Sequence, residues 1–370
     1  MQQLLRDIRR NPLLWLLAFV PVLFVAAKLR PEAHTLLFLL SVCAIVPLAA
    51  LLSRATESVA AKTGDSVGGL LNATLGNLTE LVIALTALRA GEYALVKSSV
   101  AGAIVTNSLF VLGASFLLGG LKHHVQDFNR AGARLQAGML FLASIALLVP
   151  SAISQADATT AQFSRQLSVG LAVLLIVAYA LGMLFSLKTH AELFASSAHE
   201  TGDGRTGGAE EEPLPIGLAV GMLAGVTLVV ALVSEIFVES VQKAAEAFGM
   251  TPAFVGFIVV ALVGGAAEMG SAFAGARKNR LDLSVGIALG SASQIALFVA
   301  PALVLLSYVI GPTPLDLHFW PGAVVMILVA TLTAVLVTNS GRSAWFVGVL
   351  LIMVYLIFAL TLFLLPPRIA

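Results

Sequence analysis

The chain has 370 residues, 59% of them hydrophobic and 11% charged, with one cysteine and a formal net charge of +1. A soluble domain carries about 25% charged residues, so most of this chain does not face water, and soluble enzymes are excluded. The near-neutral balance argues against nucleic acid or another polyanionic partner. The lone Cys43 rules out an intrachain disulfide framework or a cysteine-based metal centre.

The N-terminus, "MQQLLRDIRRNPLLW", has a basic start. No small-residue cleavage site follows its apolar run, which reads as a retained helix and not a signal peptide. Eleven apolar segments then succeed one another, at roughly 12–27, 34–52, 67–88, 98–121, 135–153, 166–187, 214–237, 252–276, 284–310, 318–338 and 344–366. A bilayer core of about 30 Å needs roughly 20 apolar helical residues. The runs are continuous, not alternating, so a β-barrel is excluded. The expected fold is an all-α polytopic membrane protein with eleven transmembrane helices.

The longest interruption, 188–213, contains "ETGDGRTGGAEEEPLP" and divides the chain near its middle. It separates a first set of five helices, 34–187, from a second, 214–370. Residues 1–33 form an extra N-terminal helix. With the N-terminus in the cytoplasm, cytoplasmic loops hold 14 of the Lys and Arg residues and the other side holds 7. The positive-inside rule therefore gives a cytoplasmic N-terminus, a cytoplasmic acidic loop and a C-terminus outside.

Two spans carry an isolated carboxylate. From Val67 to Leu88 the one charged residue is Glu80, in "GNLTE" (76–80). From Pro252 to Ala276 it is Glu268, in "GGAAE" (264–268). Both spans are second in their set of five. In each, a glycine precedes the glutamate by four residues (Gly76, Gly264) and an arginine follows by nine (Arg89, Arg277). The next span of each set carries an isolated amide, Asn107 or Gln294, at offsets of 27 and 26 residues from the glutamate. Glu57 and Glu239 also match, each closing the first span of its set. Five is odd, so the two sets enter the membrane from opposite sides. That is an inverted-topology repeat, whose site is expected at the midplane where the halves meet.

A mid-span carboxylate is expensive, about 2.5–3.5 kcal/mol on insertion scales. No Lys or Arg lies deep in any span to offset it. Protonation is one form of compensation, and a bound cation is another. A site alternating between the two exchanges protons for a cation. Carboxylates, amides, hydroxyls and carbonyls make an all-oxygen set, which suits Ca2+, Mg2+, Mn2+ or Na+, and two charges match a divalent ion. Gly76 and Gly264 permit local unwinding that frees carbonyls for the ion. Plainer readings stand beside this one. A lone glutamate serves equally as a protonated residue bonded to a neighbouring helix. The glycines serve close packing, and Asn107 or Gln294 serves as interhelical glue.

The stretches "GGLLNATLGNLTELVIAL" (68–85), "SVAGAIVTNSLFVLG" (99–113), "FSLKTHAELF" (185–194), "ALVGGAAE" (261–268) and "VGIALGSASQIALFVAP" (285–301) resemble the calcium/cation antiporter superfamily, specifically its Ca2+/H+ exchanger (CAX) family. The resemblance implies one extra helix and two inverted sets of five. It implies Glu80 and Glu268 as central ligands for Ca2+ and H+. It also implies a site lined by the Gly76 and Gly264 carbonyls with Asn77, Asn107 and Gln294, and a regulatory central loop. The transported ions are Ca2+ and H+ with no cofactor. The expected location is a bacterial inner membrane, with the lipid bilayer as surroundings. The family's second motif usually reads Gly-Asn-Ala-Ala-Glu-His, whereas this chain has Gly265 and Met269 at the Asn and His places. A Na+-coupled exchanger on the same fold is the alternative, and a cation channel a more distant one.

Overall fold

A spanning segment in lipid must satisfy its own backbone, which leaves these apolar runs only the helix. The computed structural model describes residues 12–63, 65–152, 158–190, 192 and 215–364. The acidic run 201–213 lies outside the described residues. After a 3-10 turn at Pro12–Ala18, the helices are α1 (Phe19–Leu29), α2 (His34–Lys62), α3 (Asp65–Leu75), α4 (Leu78–Arg89), α5 (Tyr93–His123) and α6 (Arg130–Ser151). Then follow α7 (Gln162–Thr189), α8 (Ile216–Ala247), α9 (Pro252–Gly264), α10 (Ala266–Arg277), α11 (Leu281–Ile310), α12 (Pro321–Thr338) and α13 (Trp345–Leu364).

Among the described residues, eight helices are long and apolar enough to cross a membrane, or nine when the bent pair α9–α10 is taken as one span. The chain is a helical integral membrane protein. Several helices outrun their apolar segments. α2 continues to Lys62, ten residues past the expected end, and α8 continues to Ala247. The third and eighth apolar segments each form two short helices, α3 with α4 and α9 with α10, and not one straight span.

α5 runs from Tyr93 at one face of the bundle to His123 at the other, and its ends are held differently. At the His123 end, β1 (Val125–Asp127) pairs antiparallel with β2 (Arg342–Ala344), tying the two halves together. Gln126 Nε2 donates to Ala276 O at 3.0 Å, and Lys122 Nζ donates to Arg277 O at 3.0 Å. Both carbonyls lie in the last turn of α10, where helix carbonyls lack intrahelical partners.

At the Tyr93 end, residues 311–320 form a strap without regular structure. Its backbone groups must still be bonded if it is to lie against the bundle. Tyr93 Oη donates to Thr313 O at 2.6 Å and accepts from Thr313 N–H at 2.7 Å. The hydroxyls of Ser307, Ser168 and Ser151 accept from the N–H groups of Leu315, Leu317 and Phe319. Lys97 pairs with Asp316 and donates to His318 O at 2.8 Å. Leu315, Leu317 and Phe319 are buried beneath the strap.

Inside this face, α5 crosses α9 at glycines. A Cβ on Gly102 would lie 2.0 Å from Phe257 O, and one on Gly256 would lie 2.4 Å from Ser98 Cβ. Small residues let two helix backbones approach to this degree.

Candidate cation site

The functional side chains collect at the two helix breaks. In the first, α3 ends at Leu75 and α4 begins at Leu78, with Gly76 and Asn77 between. In the second, α9 ends at Gly264, Gly265 intervenes, and α10 leaves at 61°. Asn77 (φ −94°, ψ 28°) and Gly265 (φ −80°, ψ 8°) hold nearly the same backbone conformation. Glu80 and Glu268 then fall in the first turns of α4 and α10. A helix N-terminus favours negative charge through its free N–H groups and dipole. The preceding helices end there with carbonyls left over. Each break thus sets a carboxylate beside donors and acceptors that the helix itself does not use.

The halves meet side chain to side chain. Glu80, from the first half, lies against Gly264 of the second. A Cβ on Gly264 would stand 3.1 Å from Glu80 Cγ and 3.5 Å from its Oε1. Gly76 in turn lies beside Gln294, whose Oε1 is 3.8 Å from the place of a Gly76 Cβ. Asn77 Nδ2 donates to Gln294 Oε1 at 2.6 Å. Asn107 Nδ2 donates to Ser291 Oγ at 2.9 Å, and Ser291 Oγ donates to Asn77 Oδ1 at 2.6 Å. One continuous chain, Asn107 to Ser291 to Asn77 to Gln294, therefore crosses between the halves three times.

As residues both glutamates are half-buried, and Glu268 lies close enough to Glu80 for their charges to interact. Glu268 Oε2 is buried with no hydrogen-bond partner among the described residues. Buried polar atoms are rarely left so, and a carboxylate oxygen only accepts, which fits a bound cation or a proton. No cluster of three or more His, Cys, Asp or Glu side chains occurs among the described residues. An ion here would take its remaining ligands from amides, hydroxyls, backbone or water.

The two glutamates front different cavities. Glu268 lines a vestibule of about 840 Å3 together with Asn72, Gly76, Ser291 and Gln294, and the vestibule reaches β1 and the start of α11. Glu80 lines a cavity of about 20 Å3 whose walls are mostly apolar, among them Ile83, Val100 and Val260. The strap face therefore lies behind tight packing, while the face that carries β1 and β2 is open.

Of the expected site residues, Asn77, Asn107 and Gln294 come together in one network, Glu80 meets Gly264, and Gly76 meets Gln294. Met269 instead packs half-buried against the apolar core. Sequence reasoning missed Ser291, the centre of the network. Its position three residues before Gln294, on the same helix face, was the available signal. It also missed that Asn107 lies within a π-helical turn, Thr106–Val111 in α5, and that Gln294 immediately precedes another, Ile295–Val299 in α11. Such turns are frequent at functional sites. Ser291→Ala removes the donor to Asn77 and the acceptor for Asn107. With about 1–3 kcal/mol per buried group left unpaired, a melting temperature several degrees below wild type in detergent is expected.

An apolar helical protein in which two broken helices meet, each with a carboxylate just past its break, has the build of a secondary cation transporter. The sequence matches the model of the sodium/calcium exchanger protein family over residues 33–188 and 218–364, and the chain belongs to that family. It is 40% identical over 360 residues to a Ca2+/H+ antiporter of Aphanothece halophytica, covering 95% of this chain and 96% of the relative. It is 39% identical over 346 residues to the Ca2+/H+ antiporter ChaA of Bacillus subtilis, covering 93% and 96%. The solved structure of native YfkE matches with a TM-score of 0.79 at 36% identity, covering 94% of this chain and 98% of that one. The crystal structure of the H+/Ca2+ exchanger CAX matches with a TM-score of 0.72 over 96% of this chain and 88% of that one; at 18% identity this speaks for the fold alone.

Proposed function

We propose that this protein exchanges Ca2+ for protons by alternating access, with Glu80 and Glu268 as the shared ligands of both ions. The observation that carries the reading is the pair of glutamates at matching helix breaks, one with an orphaned buried oxygen, in a chain about 40% identical to Ca2+/H+ antiporters over nearly its whole length. The Gly76 and Gly264 carbonyls, Asn77, Asn107 and Gln294 complete the shell. Counting α1 and the pair α3–α4 as spans gives eleven, arranged as one extra helix and two inverted sets of five, 34–187 and 214–370.

In this scheme the N-terminus and the vestibule face the cytoplasm of a bacterial inner membrane, and the strap seals the outer face. Cytoplasmic Ca2+ reaches ionised carboxylates through the vestibule. The halves rock, and protons from the outer side displace the ion and neutralise both carboxyls. The neutral pair is cheap to carry back, whereas an empty doubly charged site is not. That difference enforces exchange over leak.

The test uses purified protein in proteoliposomes with an acidic lumen. Ca2+ accumulates, and a protonophore that collapses the pH gradient abolishes the accumulation. Uptake driven by a Na+ gradient without a pH gradient would overturn proton coupling in favour of the Na+-coupled reading. Single-channel conductance would overturn antiport altogether.

A further inference from the structure

The cation site is lopsided at one position, Gly265. Under the repeat correspondence, Asn77 matches Gly265 and Gln294 matches Asn107. The tie from Asn77 to Gln294 crosses between the halves at 2.6 Å. Its counterpart would run from residue 265 to Asn107. Gly265 has no side chain to make it, and Asn107 donates to Ser291 instead.

The backbone is not what forbids the tie. Gly265 has a negative φ, and its dihedrals are within about 20° of those that Asn77 adopts at the matching break. Toward Glu80 there is space too, at the cost of one tight contact with a backbone carbonyl that must give by a few tenths of an ångström. A Cβ on Gly265 would stand 3.6 Å from Glu80 Oε1, in ordinary contact, and 3.3 Å from Ala261 O. A side chain there would begin beside the carboxylate.

We infer that Gly265 is a specificity-determining position of the cation site, which by lacking an amide leaves the Glu80 side of the shell adaptable and so admits large divalent cations alongside Ca2+. The inference rests on the proposed roles of Glu80 and Glu268. A hard cation of this class takes 6–8 oxygens in a flexible shell, and selectivity follows from ligand number and rigidity. On the Glu268 side the oxygens of Asn77, Ser291 and Gln294 are fixed by one another. Among the described residues no such network stands on the Glu80 side, and the small cavity is walled largely by apolar groups. Oxygens on that side then come from mobile water, which adjusts to ionic radius. A fixed amide would not adjust.

The experiment measures half-saturating concentrations of Ca2+, Sr2+ and Ba2+ for proton-driven uptake in proteoliposomes, for wild type, Gly265→Asn, Gly265→Ser and Gly265→Ala. Wild type takes up all three ions. Gly265→Asn raises the Ba2+-to-Ca2+ ratio of half-saturating concentrations by about threefold or more, through the added rigid oxygen. Gly265→Ser moves the ratio the same way and serves where the Asn variant does not fold. Gly265→Ala, which adds a Cβ but no oxygen, leaves the ratio unchanged. Three results would overturn the inference: an unchanged ratio in both the Asn and Ser variants, a wild type that already rejects Ba2+, or an Ala variant that shifts as far as the Asn one. If wild type shows no proton-driven Ca2+ uptake, the proposed function fails instead. Failure of this inference alone leaves that uptake intact.

Discussion

Glu268→Gln is expected to abolish proton-driven Ca2+ uptake while the protein melts at or above the wild-type temperature. The two halves of this expectation come from one cause. Gln keeps the shape of the side chain and removes its charge. The wild-type protein holds two carboxylates near each other with no basic side chain deep in the spans, and burying such charge is costly. Removing one charge relieves the ion-free protein. In the proposed mechanism the same change deprives a divalent cation of half its countercharge and leaves one of two proton carriers. Loss of at least about a hundredfold in apparent affinity corresponds to about 2.7 kcal/mol, modest for a charged ligand in a low-dielectric site. Glu80→Gln is expected to behave alike. Tracer uptake and thermal melting, run on the same preparations, separate the readings. A variant that loses stability together with uptake would mark a structural glutamate. One that keeps more than about a tenth of wild-type uptake would remove that residue from the mechanism, since a tenfold loss is only 1.4 kcal/mol.

Gly102→Val is expected to have the largest effect of any change outside the glutamates. A Cβ at this position would stand 2.0 Å from Phe257 O and 2.5 Å from Phe257 C and Cα. All three are backbone atoms, so no rotamer change makes room, and α5 and α9 must separate. Overpacking typically costs about 1–3 kcal/mol, and rigid backbone neighbours place this case at the upper end. The crossing lies beside the small cavity that Glu80 lines, so the seal on the strap face loosens with it. A fall in melting temperature of many degrees, with loss of uptake, is the expected result. Gly286→Val is the control. That glycine lines the vestibule and has nothing within 4 Å of a Cβ, so a change within about 0.5 kcal/mol is expected, as for surface positions. Equal damage from both substitutions would show that the tight crossing of α5 and α9 is not what matters.

Much of the candidate site was legible in the sequence because lipid makes charge conspicuous. Glu80 and Glu268 stand out as single carboxylates in charge-free runs, and their matched glycines and amides stand out by spacing alone. The third and eighth segments were marked as glycine-interrupted, and both are broken at those glycines. Helix ends were read less well. Segments end in a hydropathy window where polar residues begin, yet α2 and α8 continue past that point because a helix in water loses nothing by another bonded turn. The π-turns at Asn107 and beside Gln294 were invisible, since one slipped hydrogen bond leaves no trace in composition. Ser291 was hidden by its neighbours: in "GSASQ" three small residues look alike until the fold gives one of them two amide partners.

The difference between the two cavities has a consequence for hydration. In the proposed mechanism, an ion arriving through 840 Å3 would travel with its shell of water and shed it only beside Glu268. A cavity of about 20 Å3 has room for about one water molecule. Under the proposed exchange, the cost of dehydration in this conformation would therefore be met on the side of β1 and β2, and what passes toward Glu80 from the strap side would be no larger than a proton carried on a single water. As a Ca2+/H+ exchanger, the same scaffold would separate its two ions by how much solvent each must bring along.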